Sequence, residues 1–274
     1  LHQLYMFDGP AALNYILNVT GQPQLNWVGF SLGNNVLVGM LSIYPEYNSK
    51  IKFGGAMGPA IYFGKTRSPL LRQWASVSNF FESVAFSWLN GEILPLMLSN
   101  YFRQLYMTLC SASIRSYFPQ ICTSYFDLID SKDAAQENLA YYSAILSLFP
   151  ATTSARVVTH WLQLIGNGQF QNFDYGMGGN LYHYGSTSPP AYNLTNVKVP
   201  LLILWGENDS FTTEEDVLRA SKDLPNVIRN IRVEWKKWNH LDFLYGKDSD
   251  ILVYDHILRY LTKYNPTVDM VSVV

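Results

Sequence analysis

Apolar and polar residues follow one another along this chain in a pattern that predicts strands alternating with helices. Four short apolar runs, at residues 25–30, 51–58, 199–205 and 231–235, are typical of buried strands. The first run is followed by a helical pattern over residues 34–44, which Pro45 ends. Strands that alternate with helices pack as a parallel sheet covered on both faces. We therefore predict an α/β fold built on a partial parallel sheet.

About 140 residues separate the second predicted strand from the third, which is far too long for an ordinary loop. We expect an inserted, mostly helical cap. The predicted organisation is a core segment at 1–62, the cap at 63–190 and a second core segment at 191–274. Residues 80–101 are the most apolar part of the cap. Two interpretations are open: this stretch packs the cap onto the core, or it is a lid or interfacial helix that meets lipid.

The segment Gly29-Phe30-Ser31-Leu32-Gly33 fits the G-x-S-x-G pattern of a nucleophile elbow. Ser31 falls between a predicted strand and a predicted helix, on a turn that strains the backbone and is expected to exclude side chains at 29 and 33. The backbone N–H of Leu32, at the helix N-terminus, can stabilise an oxyanion. The pattern predicts Ser31 as a nucleophile and Leu32 as an oxyanion donor.

A nucleophilic serine needs a base and an orienting acid, and in this fold they follow it in the order acid, then histidine. Asp209 lies on a loop after the strand at 199–205, and His240 lies on a loop after the strand at 231–235. We expect Thr212 and Glu215 to form a capping box for a helix between these two loops. Asp242 and His183 are the rival acid and base. Asp242 is too close to His240 in sequence, and His183 precedes the acid.

These residues lie in a chain that resembles the acid lipase family, which contains gastric and lysosomal acid lipases and insect relatives. The resemblance implies an α/β-hydrolase core with a helical cap, and it implies the same roles for Ser31, Asp209 and His240. It also implies neutral lipid esters such as triacylglycerols or cholesteryl esters as substrates, and a secreted or lysosomal location. The matching segments are Phe7-Asp8-Gly9-Pro10-Ala11-Ala12, Thr20-Gly21-Gln22, Pro150-Ala151-Thr152-Thr153-Ser154, His160-Trp161, Phe170-Gln171-Asn172-Phe173-Asp174-Tyr175-Gly176, His183-Tyr184, Pro189-Pro190-Ala191-Tyr192-Asn193 and Asn239-His240-Leu241-Asp242-Phe243.

The chain departs from the family pattern in three places. Phe30 and Leu32 stand where these lipases usually carry His and Gln, and Thr152 replaces a glycine. The family's first strands, with the His-Gly loop that donates a second oxyanion N–H, have no counterpart in this sequence. We therefore expect a piece of a longer protein, whose strand at 25–30 presents an unpaired apolar edge. No signal peptide is visible, and this says nothing about location.

Composition narrows the class of protein. The chain is 48% hydrophobic and 15% charged, and no apolar run is long enough for a transmembrane helix. A net charge of −2 argues against a nucleic-acid partner. Cys110 and Cys122 fit one disulfide or two buried thiols. The sequons at Asn18 and Asn193 suit a secretory route, whereas a glycan on Asn208 would block the neighbouring acid.

The predicted reaction is a two-step acyl transfer that needs no metal or cofactor. Ser31 attacks an ester carbonyl, and water then releases the fatty acid. The triad alone also allows thioester or amide hydrolysis and small-ester cleavage. A different class of function stays open, namely a lipase-derived lipid-binding or storage protein, or an inactive fragment, without turnover.

Overall fold

A computed structural model describes residues 1–88, 90–93, 96–111, 130–138, 145 and 151–265 of the 274-residue chain. Over these residues, the main sheet contains four parallel strands. They are β1 (Leu25–Phe30), β2 (Ile51–Met57), β5 (Leu201–Trp205) and β6 (Val227–Arg232), and they are hydrogen-bonded in that order. A small antiparallel ribbon pairs β3 (Glu92–Ile93) with β4 (Thr153–Ser154). The predicted α/β architecture is confirmed.

Helices precede, connect and follow these strands. No helix in the described parts of the chain combines the length and hydropathy that crossing a bilayer requires. The α-helices are α1 (Gly9–Thr20), α2 (Leu32–Ile43), α3 (Pro69–Ser76), α4 (Ser78–Trp88), α5 (Leu96–Leu109), α6 (Ala155–Asn167), α7 (Gly176–Tyr184), α8 (Glu214–Asp223), α9 (Asp242–Tyr245) and α10 (Asp255–Tyr264). Single 3-10 or π-helical turns lie at Leu4–Asp8, Pro45–Lys50, Leu194–Asn196 and Asp250–Tyr254.

The hydrophobic core lies on both faces of the sheet. Leu201 packs in a cluster with residues of α2 and α8, whereas its neighbour Leu202 packs with Phe53 and Ile257 in a cluster on the other face. This alternation follows from the two-residue period of a strand. Each face of a parallel sheet must be covered, and the helices on both sides meet that requirement. As predicted, β1 lies at one edge of the sheet formed by the described residues.

Two predicted elements differ from the structure. The fourth strand spans Val227–Arg232 rather than 231–235, because an edge strand is only partly buried and tolerates Arg229 and Asn230 within it. Residues 80–101 do not form one helix. The chain turns at Asn90 and Gly91, both with positive φ, and then enters β3. Leu89 and Leu94 lie outside the described residues. The division of the chain into core (1–62), cap (63–190) and core (191–274) stays a prediction.

Candidate active site

Ser31 occupies a strained turn between β1 and α2. Its φ is +50° and its ψ is −120°, a conformation that a non-glycine residue rarely adopts. Its N–H donates to Met57 O at 3.0 Å, so the turn is fixed against β2. A Cβ on Gly29 would lie 2.5 Å from Asn34 Oδ1, which explains the glycine there. The matching expectation for Gly33 is wrong, because a Cβ on it meets no described atom within 4 Å.

The structure brings together the three residues that were predicted from their order along the chain. Ser31 Oγ lies 2.8 Å from His240 Nε2, and His240 Nδ1 lies 2.7 Å from Asp209 Oδ2. A carboxylate can only accept, so the ring proton belongs on Nδ1. His240 Nε2 is then left to accept the hydroxyl proton of Ser31. The arrangement can remove that proton and hold the resulting imidazolium beside a buried carboxylate.

Asp209 is completely buried, and its carboxylate accepts four hydrogen bonds. Besides His240, the backbone N–H groups of Phe211 and Thr212 donate to Oδ1 at 2.8 Å, and Thr212 Oγ1 donates to Oδ2 at 2.6 Å. The predicted capping box of Thr212 and Glu215 is therefore wrong. The helix α8 begins at Glu214 with Thr213 as its N-cap, and the Thr212 hydroxyl is bound to the acid instead. Sequence reasoning missed Thr212 as a site residue.

Two aromatic rings and a glycine enclose the imidazole of His240. Phe30 and Phe211 each place a ring centroid 4.8 Å from its own. On another side, Gly58 leaves so little space that a Cβ would lie 3.1 Å from the imidazole. No sequence motif marks Gly58, because it meets His240 only in the folded structure. Phe30, which replaces the family's histidine, contributes packing against the base.

Burial lowers the pKa of His240, but the charge and hydrogen bond of Asp209, together with the charge of Asp130, outweigh it. The net result is a pKa above the ordinary value for histidine. The site therefore favours the imidazolium that forms when the serine proton moves, and it needs a pH high enough for the resting base to be neutral.

The rival residues are not part of this relay. Asp242 Oδ2 accepts the N–H of Asn239 at 2.9 Å, and burial, with Asp133 and Asp130 nearby, raises the pKa of Asp242 to about 8. His183 is exposed and stacks on Tyr175, with the ring centroids 4.1 Å apart.

Serine, acid and histidine thus lie in order after the carboxyl ends of β1, β5 and β6 of a parallel sheet. Residues 2–247 match a family model described as alpha/beta hydrolase fold. The chain belongs to this family. A solved α/β-hydrolase, the monoacylglycerol lipase of Paleococcus ferrophilus, has a similar fold with a TM-score of 0.50 and 13% identity. That similarity covers 93% of this chain and 76% of the other.

Sequence relatives of this α/β-hydrolase are lipases, which confirms the predicted resemblance. The chain is 36% identical to Lipase 3 of Drosophila melanogaster, over 96% of this chain and 66% of that protein. It is 28% identical to gastric triacylglycerol lipase of Rattus norvegicus, over 95% and 64% of the two chains. It is 26% identical to lysosomal acid lipase/cholesteryl ester hydrolase of Rattus norvegicus, over 96% and 64%. The chain spans less than two thirds of the length of these relatives.

The catalytic roles of Ser31, Asp209 and His240 stay predictions, as do the roles of the other predicted site residues of this α/β-hydrolase. Leu32 begins α2, so its N–H is one of the helix donors without an intrahelical acceptor. Cys110 is buried, and Cys122 lies outside the described residues. Asn18 is exposed on α1, whereas Asn193 Oδ1 accepts hydrogen bonds from the backbone N–H and hydroxyl of Thr195.

Proposed function

We propose that this chain carries the catalytic machinery of a serine lipase that hydrolyses carboxylic esters of neutral lipids. The observation that carries the proposal is the continuous relay from Ser31 through His240 to Asp209, with both hydrogen bonds below 3 Å. The lipase relatives support it. Two of these relatives are named for action on triacylglycerol or cholesteryl esters, and these are the substrates we propose here.

The reaction proceeds through an acyl-enzyme. His240 Nε2 takes the hydroxyl proton as Ser31 Oγ bonds to the ester carbonyl carbon, and the Leu32 N–H stabilises the oxyanion. When the tetrahedral intermediate collapses, the imidazolium gives its proton to the departing alcohol. Water, deprotonated by His240, then attacks the acyl-serine and releases the fatty acid. Asp209 keeps the proton on Nδ1 throughout and stabilises the charged ring.

The cap supplies a surface that suits contact with lipid. Trp88 on α4 is 81% exposed, and Met177 and Tyr182 on α7 are 73% and 86% exposed. Large apolar side chains at such exposure are typical of a binding surface when they cluster. We propose that these exposed side chains on α4 and α7 meet the lipid interface. We also propose a secreted or lysosomal location, with a Cys110–Cys122 disulfide and glycans at Asn18 and Asn193.

The test is active-site labelling of the purified chain with a fluorophosphonate, followed by intact mass. A single adduct that is absent from Ser31→Ala is the expected result. Turnover is then compared on a triacylglycerol emulsion, a cholesteryl ester and a soluble short-chain ester. Hydrolysis of the soluble ester alone would contradict the lipid substrate. A folded protein that binds lipid but forms no adduct would contradict the enzyme and favour a storage role.

A further inference from the structure

One segment of the insertion contacts both loops that carry the acid and the base. We call this segment, residues 130–136, the strap. The residues that precede the acid and the base donate to it: Asn208 Nδ2 lies 3.4 Å from Lys132 O, and Asn239 Nδ2 lies 2.6 Å from Ser131 O. The two loops also bond each other directly, because Asn208 donates from its N–H to Trp238 O and from its Nδ2 to Lys237 O, both at 3.1 Å. The strap adds a second connection between them.

Asp130 is the residue of the strap that contacts both loops with one side chain. Its Oδ1 accepts the hydroxyl of Ser210 at 2.8 Å and the Ser210 N–H at 3.4 Å, and its Oδ2 accepts the Leu241 N–H at 3.0 Å. Ser210 directly follows Asp209, and Leu241 directly follows His240. Asp130 is only 7% exposed, so water competes little for these bonds.

The charge of Asp130 also acts on the base. Burial raises the pKa of Asp130, and the neighbouring charge of Asp209 raises it further, while His240 and the hydrogen bonds from Ser210 and Ser131 oppose this. Two carboxylates raise the pKa of the His240 imidazole, namely Asp209 on the acid loop and Asp130 on the strap. Three other acids lie in or against the strap, and none of them is among the groups that shift the pKa of His240: Asp133, Asp242, whose pKa Asp133 and Asp130 help to raise, and Asp248, which accepts a hydrogen bond from Gln136.

We propose that Asp130 is a positioning residue for the acyl transfer, because its carboxylate fixes the acid loop and the histidine loop at the separation that the Asp209–His240 hydrogen bond requires. The inference rests on the proposed function. It assigns part of the active-site geometry to the insertion rather than to the hydrolase core. Asp130 bonds to Ser210 and Leu241 rather than to the triad side chains, so it acts through the residues next to Asp209 and His240.

The variant Asp130→Asn tests this, because an amide keeps the shape but offers one acceptor oxygen where the carboxylate offers two. Its matched control is Asp216→Asn. Asp216 is 4% exposed, against 7% for Asp130, and it accepts the Lys65 N–H at 2.9 Å, but it is not among the groups that shift the pKa of His240. Two quantities are measured: the rate of fluorophosphonate labelling across pH, and the NMR titration midpoint of the His240 imidazole, identified by its absence in His240→Gln.

We expect Asp130→Asn to be labelled about 10- to 100-fold more slowly than Asp216→Asn, as for other small displacements of catalytic groups. Its His240 midpoint should also move to lower pH, because a negative charge that raises the pKa of the imidazole is lost. A purely structural residue would lower the melting temperature and leave the midpoint unchanged. Equal labelling rates, or an unchanged midpoint, would overturn the proposal.

Failure of the proposed function is a separate outcome. If the unmodified chain takes no label, the serine hydrolase assignment fails, and the titration midpoint of Asp130→Asn alone decides the inference. If Asp130→Asn does not fold, Ser210→Ala takes its place, since it removes the 2.8 Å donor to Asp130 and keeps the charge. We then expect labelling about threefold slower with the midpoint unchanged, consistent with the loss of one hydrogen bond. Labelling of folded Ser210→Ala at the unmodified rate would overturn the inference.

Discussion

Gly58 gives a direct test of the site geometry, because its backbone lies against the imidazole of His240. Gly58 follows β2 with a φ of +50°, and its N–H donates to Leu204 O at 2.9 Å. A Cβ at this position would lie 3.1 Å from both Cε1 and Nδ1 of His240. Carbon atoms in ordinary contact are about 3.5–4.0 Å apart. Alanine at position 58 must therefore push the ring away by a few tenths of an ångström.

Two effects of Gly58→Ala can be separated. The left-handed backbone costs a residue with a Cβ about 1–2 kcal/mol, which lowers the free energy of unfolding. The displaced ring lengthens the hydrogen bonds from His240 to Ser31 and Asp209, now 2.8 and 2.7 Å. A misplacement of about 1 Å can cost about 100-fold in rate. On that scale, a few tenths of an ångström predict fluorophosphonate labelling about 3- to 10-fold slower.

The matched control is Gly185→Ala. Gly185 has a φ of +68°, and a Cβ there meets no described atom within 4 Å. This variant therefore carries the backbone strain without contact to the site. Labelling rates come from intact mass against time, and stability comes from thermal unfolding. If folded Gly58→Ala is labelled as fast as folded Gly185→Ala, the reasoning about the imidazole is refuted.

Three further predictions follow from the same contacts. Thr212→Val, which removes the 2.6 Å hydrogen bond to Asp209, should slow labelling about 10-fold, because a bond to a charged group contributes about 1.5–3 kcal/mol. The labelling rate of the unmodified chain should fall on acidification with a midpoint above 6.5, because the pKa of His240 is raised and only the neutral ring accepts a proton. The free energy of unfolding should decrease from about pH 4 to about pH 8, because the folded pKa of Asp242 is about 8, above its unfolded value of 3.8.

Each of these three predictions has its own control variant or contradicting outcome. Thr213→Val removes a neighbouring hydroxyl that lies 3.4 Å from Asp216 and should be labelled at the unmodified rate. An inflection of labelling at or below pH 6.5 would contradict the electrostatic account of His240. Asp242→Asn should flatten the decrease in stability between pH 4 and 8, measured by denaturant unfolding. His240 acts in the same direction, since its raised folded pKa contributes stability below pH 6.5 that is lost as pH rises. An unchanged slope in Asp242→Asn would show that Asp242 is ionised in the folded protein.

The sequence was sufficient to predict the strands around the elbow, since local pattern decides them. A six-residue apolar run, a glycine-flanked serine and a helix ended by proline are all readable over short distances. Thr212 was misread because its spacing to Glu215 imitates a capping box, and spacing does not show which partner a hydroxyl will find. Gly58 and Asp130 gave no signal at all. Their roles depend on contact with His240 and Leu241, which lie more than a hundred residues away in sequence.

The way the site is assembled explains this difference between predictable and unpredictable residues. The hydrogen-bond ladder of the sheet continues one residue past the strands, where Ser31 N–H binds Met57 O and Gly58 N–H binds Leu204 O. These two residues are therefore positioned by backbone pairing, which strand patterns predict. Asp209 and His240 lie four and eight residues beyond the ends of β5 and β6, outside the strand pairing of the sheet. A backbone hydrogen bond from Asn208 N–H to Trp238 O at 3.1 Å joins their loops, and side-chain bonds complete the positioning. Substitutions in those loops should therefore alter the site geometry without altering the sheet.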